Sequence, residues 1–147
     1  MIASVEHPEH DAMVDLVRRD PSQEEYDSIR KLWQRHSIAE DARDLAGLIS
    51  TLTEDCVYEV VNTGQRWEGH AGATRFYTEL LTAFPEIHFD LTDIVVGPQG
   101  VSEAARVTGV PSEPWRVIIF FPWDRERQLF TGERIYTDGD VSQLATR

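Results

Sequence analysis

The order of hydrophobic periods along the chain predicts an α+β domain in which helices come first and a curved antiparallel sheet follows. Three observations carry this expectation. Between Tyr26 and Phe84 apolar residues recur at spacings of three and four, interrupted by one β-rich run. After Glu86 that helical period disappears, and the apolar segments beyond it are separated by short, turn-rich connections. The length of 147 residues suits one domain, long enough to bury a core without disulfides or a structural metal.

Ser22 with Glu25 three residues on is a capping-box pattern, and it starts a helix that buries Tyr26, Ile29, Leu32 and Trp33. A second helix is expected from near Ser37 or Ile38, repeating Leu45, Leu48, Ile49 and Leu52. A first strand follows at 56–61, and the turn Asn62-Thr63-Gly64-Gln65 leads into a short strand at 66–68. The stretch from Gly69 to Pro85 is the most informative. Ala73, Phe76, Tyr77, Leu80 and Phe84 fall on one face of a third helix, which Pro85 stops. Strands are then expected at 87–96, 101–110, 115–122 and 128–136. Their connections are too short for parallel crossovers, so these strands pair antiparallel. No internal repeat or interdomain linker is visible. Residues 1–20 read as an N-terminal arm and 21–147 as the domain.

Lys plus Arg number 14 against 26 Asp plus Glu, a formal charge of -12 that repels phosphate backbones and anionic lipid, so neither nucleic acid nor membrane is an expected partner. The single cysteine, Cys56, forms no disulfide framework or cysteine-rich zinc site and fits a reducing compartment. Its setting in C-V-Y-E-V-V favours a buried, inert thiol over a nucleophile. His7, Glu9, His10 and Asp11 stand where a secretory signal needs a basic start and an apolar run, and the longest apolar candidate is 117–121. A soluble, cytoplasmic protein is expected. His7, His10, His36, His70 and His88 show no metal-ligand spacing, so no metal is expected. Without a phosphate loop, nucleotide fingerprint or nucleophile elbow, no cofactor is expected either.

The segment W-E-G-H-A-G-A-T-R-F-Y-T-E-L-L-T-A-F-P from Trp67 to Pro85 resembles the SnoaL-like branch of the nuclear transport factor 2-like superfamily. So do I-I-F-F-P-W-D from Ile118, G-E-R-I-Y-T-D from Gly132 and the trailing Gln143-Leu144. The resemblance runs from about Tyr26 to Leu144. It implies a cone-shaped α+β barrel: three N-terminal helices packed on a curved, mostly antiparallel sheet around an apolar pocket, with a homodimer through the outer sheet face. One departure is the short connection between Thr108 and Trp115, where relatives carry a longer loop at the pocket mouth.

Relatives of this kind include polyketide cyclases, steroid isomerases, epoxide hydrolases and non-catalytic binding modules, and fold alone does not choose among them. In the epoxide-hydrolase pattern Tyr58 and Arg106 find matches, but the other matching positions are Val60, Thr108 and Ile135, which take no proton from water. That chemistry is disfavoured. The cyclase-type relatives place an acid/base carboxylate on the last long strand, and Glu133 is the candidate here. Alternation puts Glu133, Ile135 and Thr137 on one face, so an inward Ile135 brings Glu133 into the cone, where desolvation raises a carboxyl pKa. Alternatively Glu133 pairs with Arg106 and only stabilises the sheet. Arg106 is read as a ligand anchor, or as part of a structural ion pair or an exposed strand face, Tyr58 as a phenol donor or as core, and His70 as a donor to a ligand or as a helix-start residue. His88 and Asp90 share a face expected at solvent or a dimer contact.

Trp33, Trp67, Phe76, Tyr77, Trp115 and Phe120 supply rings for the core and for lining a pocket. The leading expectation is a cofactor-independent cyclase or isomerase-type lyase acting on an apolar oxygenated small molecule of polyketide or terpenoid character. Its proton is shuttled by Glu133, with Tyr58, Arg106 and His70 holding the oxyanion. The alternative is a non-catalytic ligand-binding or dimerisation module.

Overall fold

The computed structural model describes residues 6–144. In chain order these form α1 (Pro8–Arg18), α2 (Gln23–Asp41), α3 (Leu45–Ile49), β1 (Leu52–Val60), β2 (Gln65–Glu68), α4 (Gly69–Ala83), β3 (His88–Gly97), β4 (Gly100–Thr108), β5 (Trp115–Asp124) and β6 (Leu129–Thr137). The strands make one curved, unclosed sheet in the order β2-β1-β6-β5-β4-β3. Neighbours pair antiparallel except β1 with β6, which run parallel because the rest of the sheet lies between them in sequence. This is the expected α+β architecture of helices on a bent sheet.

Two helix boundaries differ from expectation. The Glu25 N–H donates to Ser22 Oγ at 3.1 Å, as the capping box requires. The helix it starts does not stop near Ser37, whose hydroxyl bonds back to the Gln34 carbonyl at 3.0 Å and leaves the helix intact. The break falls at Ala42–Asp44. Arg43 there takes a left-handed φ of 56°, its guanidinium donates to the Ile87 carbonyl at 2.6 Å, and Asp44 caps α3 by accepting from the Gly47 N–H at 3.0 Å. β1 accordingly starts at Leu52, earlier than the expected strand. Within the segment read as an arm, Pro8–Arg18 form a helix with no buried side chain, tied back where Arg19 donates to both carboxylate oxygens of Glu25 at 3.0 and 2.7 Å.

The core lies between α2, α4 and the concave sheet face. Ile29 and Leu32 from α2 and Phe76 and Leu80 from α4 are buried with Tyr58, Trp67, Phe121 and Phe130. Trp67 and Phe76 meet nearly edge to face at 5.0 Å, as do Phe84 and Trp115. Each such side chain contributes about 1.5–3 kcal/mol on burial. Cys56 is fully buried, and burial pushes its thiol up to about 11, the setting of an inert sulfur.

Strict alternation along β4 and β5 buries one face and exposes the other. Along β6 the inward phase changes. Phe130 points into the core, and so do both Glu133 and Ile135, because the chain bulges at Gly132 with φ 132° against the Val57 carbonyl. Glu133 owes its direction to that glycine. Beyond β6, Gln65 donates to the carbonyls of Val141 and Leu144 at 3.1 and 2.9 Å and fastens the C-terminal turn over the sheet. On the outer face Val95, Ile118 and Tyr136 stand exposed.

Candidate active site

A cavity opens where the C-terminal end of α2, the buried face of α4 and strands β1, β5 and β6 converge. Val60, Leu80, Val117, Ile119 and Ile135 give it apolar walls, and Val141 and Leu144 of the C-terminal turn complete them. Three polar side chains reach it with ionisable groups: Glu40, Tyr77 and Glu133. Its free space is about 40 Å³ traced by the centre of a water molecule, room for a few waters. A larger ligand requires the wall to yield. Among the described residues no arginine, lysine or histidine belongs to the lining.

Behind the cavity runs a buried hydrogen-bonded chain. The Tyr77 hydroxyl donates to Glu133 Oε2 at 2.6 Å, and the hydroxyls of Tyr58 and Tyr77 lie 2.9 Å apart. Since Tyr77 spends its proton on Glu133, Tyr58 is the donor of that second bond. His36 Nε2 stands 3.3 Å from Glu133 Oε2, 3.2 Å from the Tyr77 hydroxyl and 3.9 Å from Glu40 Oε2. On the other side of the ring, Nδ1 is 2.7 Å from Thr51 Oγ1, which itself donates to the Leu48 carbonyl at 2.6 Å. Thr51 therefore accepts from His36, and the Nδ1–H form is fixed. His36 and Tyr77 meet on the same oxygen of Glu133.

The electrostatics are those of desolvated carboxylates close together. Burial, then Glu133, pushes Glu40 up to about 8, with His36 opposing and Glu103 and Asp41 adding. Burial and then Glu133 also raise Glu103 to about 8, against a lowering hydrogen bond from Trp33. The phenols of Tyr58 and Tyr77 are held well above their ordinary value by burial and by Glu133, so both remain donors. Glu103 lies outside the cavity lining, and its titration is a stability matter. The folded chain holds its proton up to about pH 8 while the unfolded chain ionises from 4.5. Its contribution is whole below the lower value and lost as pH rises through the upper. Glu103→Gln is expected to match the parent near pH 4.5 and to exceed it by about 2 kcal/mol at about pH 9, read from urea unfolding at both pH values. Equal pH dependence in the two proteins contradicts this.

Of the residues singled out in the sequence, Glu133, Tyr58, Phe76, Tyr77 and Trp115 are brought to the cavity or directly behind it. Arg106 is not. Inward Ala105 and Val107 leave it exposed on the outer face, opposite Asp90 and Arg116 in register, so it neither anchors a ligand in the cavity nor pairs with Glu133, which lies against His36. His70 turns its Nε2 to the Leu52 carbonyl at 3.0 Å and borders a surface depression with Arg127 and Leu129, away from the cavity. Trp33 and Trp67 sit in the helix-side packing, outside the lining. Phe120 lies on the outer face under the Arg134 guanidinium, 5.7 Å from its centre. His88 and Asp90 form an exposed ion pair at 3.0 Å.

Sequence reasoning missed His36, Glu40 and Glu103. A signal for the first two was present. Ile29, Leu32, His36 and Glu40 continue one helical face at spacings of three and four, so the apolar stripe of α2 ends in two ionisable groups. Glu103 shares the inward parity of Val101, Ala105 and Val107.

Residues 29–137 match the SnoaL-like domain family, and the chain belongs to it. The architecture is that of the nuclear transport factor 2-like fold. A protein of that fold and of unknown function from Mesorhizobium loti is similar at TM-score 0.69, with 19% identity over 82% of this chain and 98% of its own. A steroid delta-isomerase from Pseudomonas aeruginosa gives 0.65 with 14% identity, covering 79% of this chain and 83% of that one. A candidate SnoaL-like polyketide cyclase from Shewanella denitrificans gives 0.63 with 15% identity, covering 75% and 90%. A search of curated proteins finds no match. Among the described residues no helix is long and apolar enough to cross a membrane.

Proposed function

We propose that the protein is a cofactor-independent isomerase or cyclase that moves a proton next to the carbonyl of an apolar, oxygenated small molecule. The observation that carries this reading is Glu133: a buried carboxylate facing an apolar cavity, held by Tyr77 at 2.6 Å and by His36 at 3.3 Å. A carboxylate so placed is within reach of a ligand in the cavity, the first requirement of a general base. Tyr77, backed by Tyr58, holds Glu133 in position by its hydrogen bond and keeps its own proton. The described lining carries carboxyl groups and no basic side chain, which supports a neutral ligand over an anionic one.

The test is turnover of 3-cyclohexen-1-one, a β,γ-unsaturated ketone, to its conjugated isomer, followed by ultraviolet absorbance. Saturable conversion that disappears in Glu133→Gln supports the reading; conversion no faster than buffer opposes it. The small free space and the protein partners already on Glu133 favour a second reading, a non-catalytic module that binds an apolar ligand. Thermal stabilisation by the ketone without turnover selects that reading.

The exposed apolar residues of the outer sheet face, Val95 at 65% and Ile118 at 53% among them, support pairing with a second copy of the chain. Sedimentation at micromolar concentration is expected to give twice the chain mass, falling to one chain mass in Ile118→Asp. A parent protein that sediments as a monomer rejects the pairing. The reduced, buried Cys56 fits a cytoplasmic setting.

A further inference from the structure

The geometry points to Glu40 as a second catalytic group of this cavity, the acid that hydrogen-bonds the ligand's carbonyl oxygen while Glu133 works on its carbon. The inference rests on the proton-transfer reading above and adds to it a residue and a division of labour.

Glu40 and Glu133 are the two carboxyl groups on the cavity wall, one from α2 and one from β6. Their surroundings differ. Glu133 is 3% exposed, and its Oε2 accepts the Tyr77 hydrogen bond and lies against His36. Among the described residues no hydrogen bond is made by the Glu40 side chain. His36 Nε2 stands 3.9 Å from Glu40 Oε2, beyond hydrogen-bond range. With 27% of the side chain accessible on a cavity wall, the carboxyl has its donor capacity uncommitted and facing the free space. A carboxyl in such a place is satisfied by a ligand oxygen. The groups facing it are Glu133 from β6, Glu103 from β4, and His36 and Asp41 on its own helix. Three of these four are acids, and together with burial they hold Glu40 protonated to about pH 8. A carboxyl that keeps its proton on the same wall as Glu133 can serve as the acid partner of that residue.

The step balances without a co-reactant. Glu133 takes the proton α to the carbonyl as the C–H bond breaks, and that electron pair becomes the carbon–carbon double bond of an enol. The carbonyl π pair takes the proton of Glu40, whose O–H bond breaks. In the return step Glu133 gives its proton to the γ carbon and the enol hydroxyl restores Glu40. Nothing is oxidised or reduced.

The test compares the parent protein, Glu40→Gln and Glu133→Gln with 3-cyclohexen-1-one across pH. The parent is expected to lose rate on an alkaline limb near pH 8. Glu40→Gln should be about a hundredfold slower and lack that limb, while Glu133→Gln is inert throughout. A Glu40→Gln protein with the parent rate, or a slower one that keeps the limb, overturns the assignment. A second readout needs no turnover. The carboxylic-acid carbonyl band in the infrared at pH 7, assigned by its loss in Glu40→Gln, should shift when 2-cyclohexen-1-one saturates the protein. A band unmoved by the ketone overturns the assignment; a shifted band in a protein without turnover keeps Glu40 as the donor and rejects the isomerase reading alone.

Discussion

Glu133→Gln is expected to fold like the parent and to transfer protons about a thousandfold more slowly. Glutamine has the shape of glutamate, and its amide oxygen still accepts the Tyr77 hydroxyl that lies 2.6 Å from Oε2. What is lost is the capacity to take a proton from carbon, which carries about 10²–10⁴ in rate for a positioned base. Stability moves little in comparison. The amide keeps a polar group opposite His36, which stands 3.3 Å from Oε2 at a site only 3% exposed. Initial rates with 3-cyclohexen-1-one and a thermal melt separate the two quantities. A variant that keeps more than about a tenth of the parent rate contradicts the role assigned to Glu133.

Gly132→Ala is expected to cost about 4 kcal/mol, the largest single-site effect on stability foreseen for this chain. At φ 132° the backbone is in a region that a side chain rarely adopts, and a Cβ built there lies 1.9 Å from the Val57 carbonyl oxygen. The parallel pairing of β1 with β6 has no room for it, since Val57 and Gly132 are register partners. Relief by flattening the bulge returns β6 to strict alternation and turns Glu133 away from the cavity. Loss of stability and loss of any Glu133-dependent activity are therefore expected together. Gly97→Ala is the control. That glycine has no positive φ and open space where a Cβ would go, so its change should stay within about 1 kcal/mol. Urea unfolding of the two variants checks the pair, and similar midpoints contradict the account of the bulge.

Much of the fold was legible because local signals agreed with the tertiary arrangement. Ser22 and Glu25 make the capping contact their spacing suggests, and the stripe Ala73, Phe76, Tyr77 and Leu80 is the buried face of α4. Alternation at Glu133, Ile135 and Thr137 brings all three to one cavity. The join between α2 and α3 was not legible, because it depends on a left-handed Arg43 whose guanidinium reaches Ile87, far along the chain. Ser37 and Ile38 look like a restart only when that long-range contact is unknown.

The site was half legible for a related reason. Arg106 was drawn toward the pocket by family resemblance, whereas the parity of Ala105 and Val107 turns it outward. His36 and Glu40 follow helical spacing on α2, yet a histidine and a glutamate four residues apart read as a solvated pair until the helix is known to cover a cavity. Which rings fill the core and which line the hollow is a matter of packing. Trp67 is consumed under α4 while Trp115 remains at the wall.

Exchange of the protons α to the carbonyl of cyclohexanone in D₂O, followed by proton NMR, tests most directly whether Glu133 takes a proton from carbon within this cavity. It needs no knowledge of the natural ligand and no completed isomerisation. The account predicts that the parent protein washes out those protons faster than buffer, and that Glu133→Gln leaves them at the buffer rate. Equal wash-out by the two proteins, or none by the parent when thermal stabilisation shows the ketone bound, contradicts it.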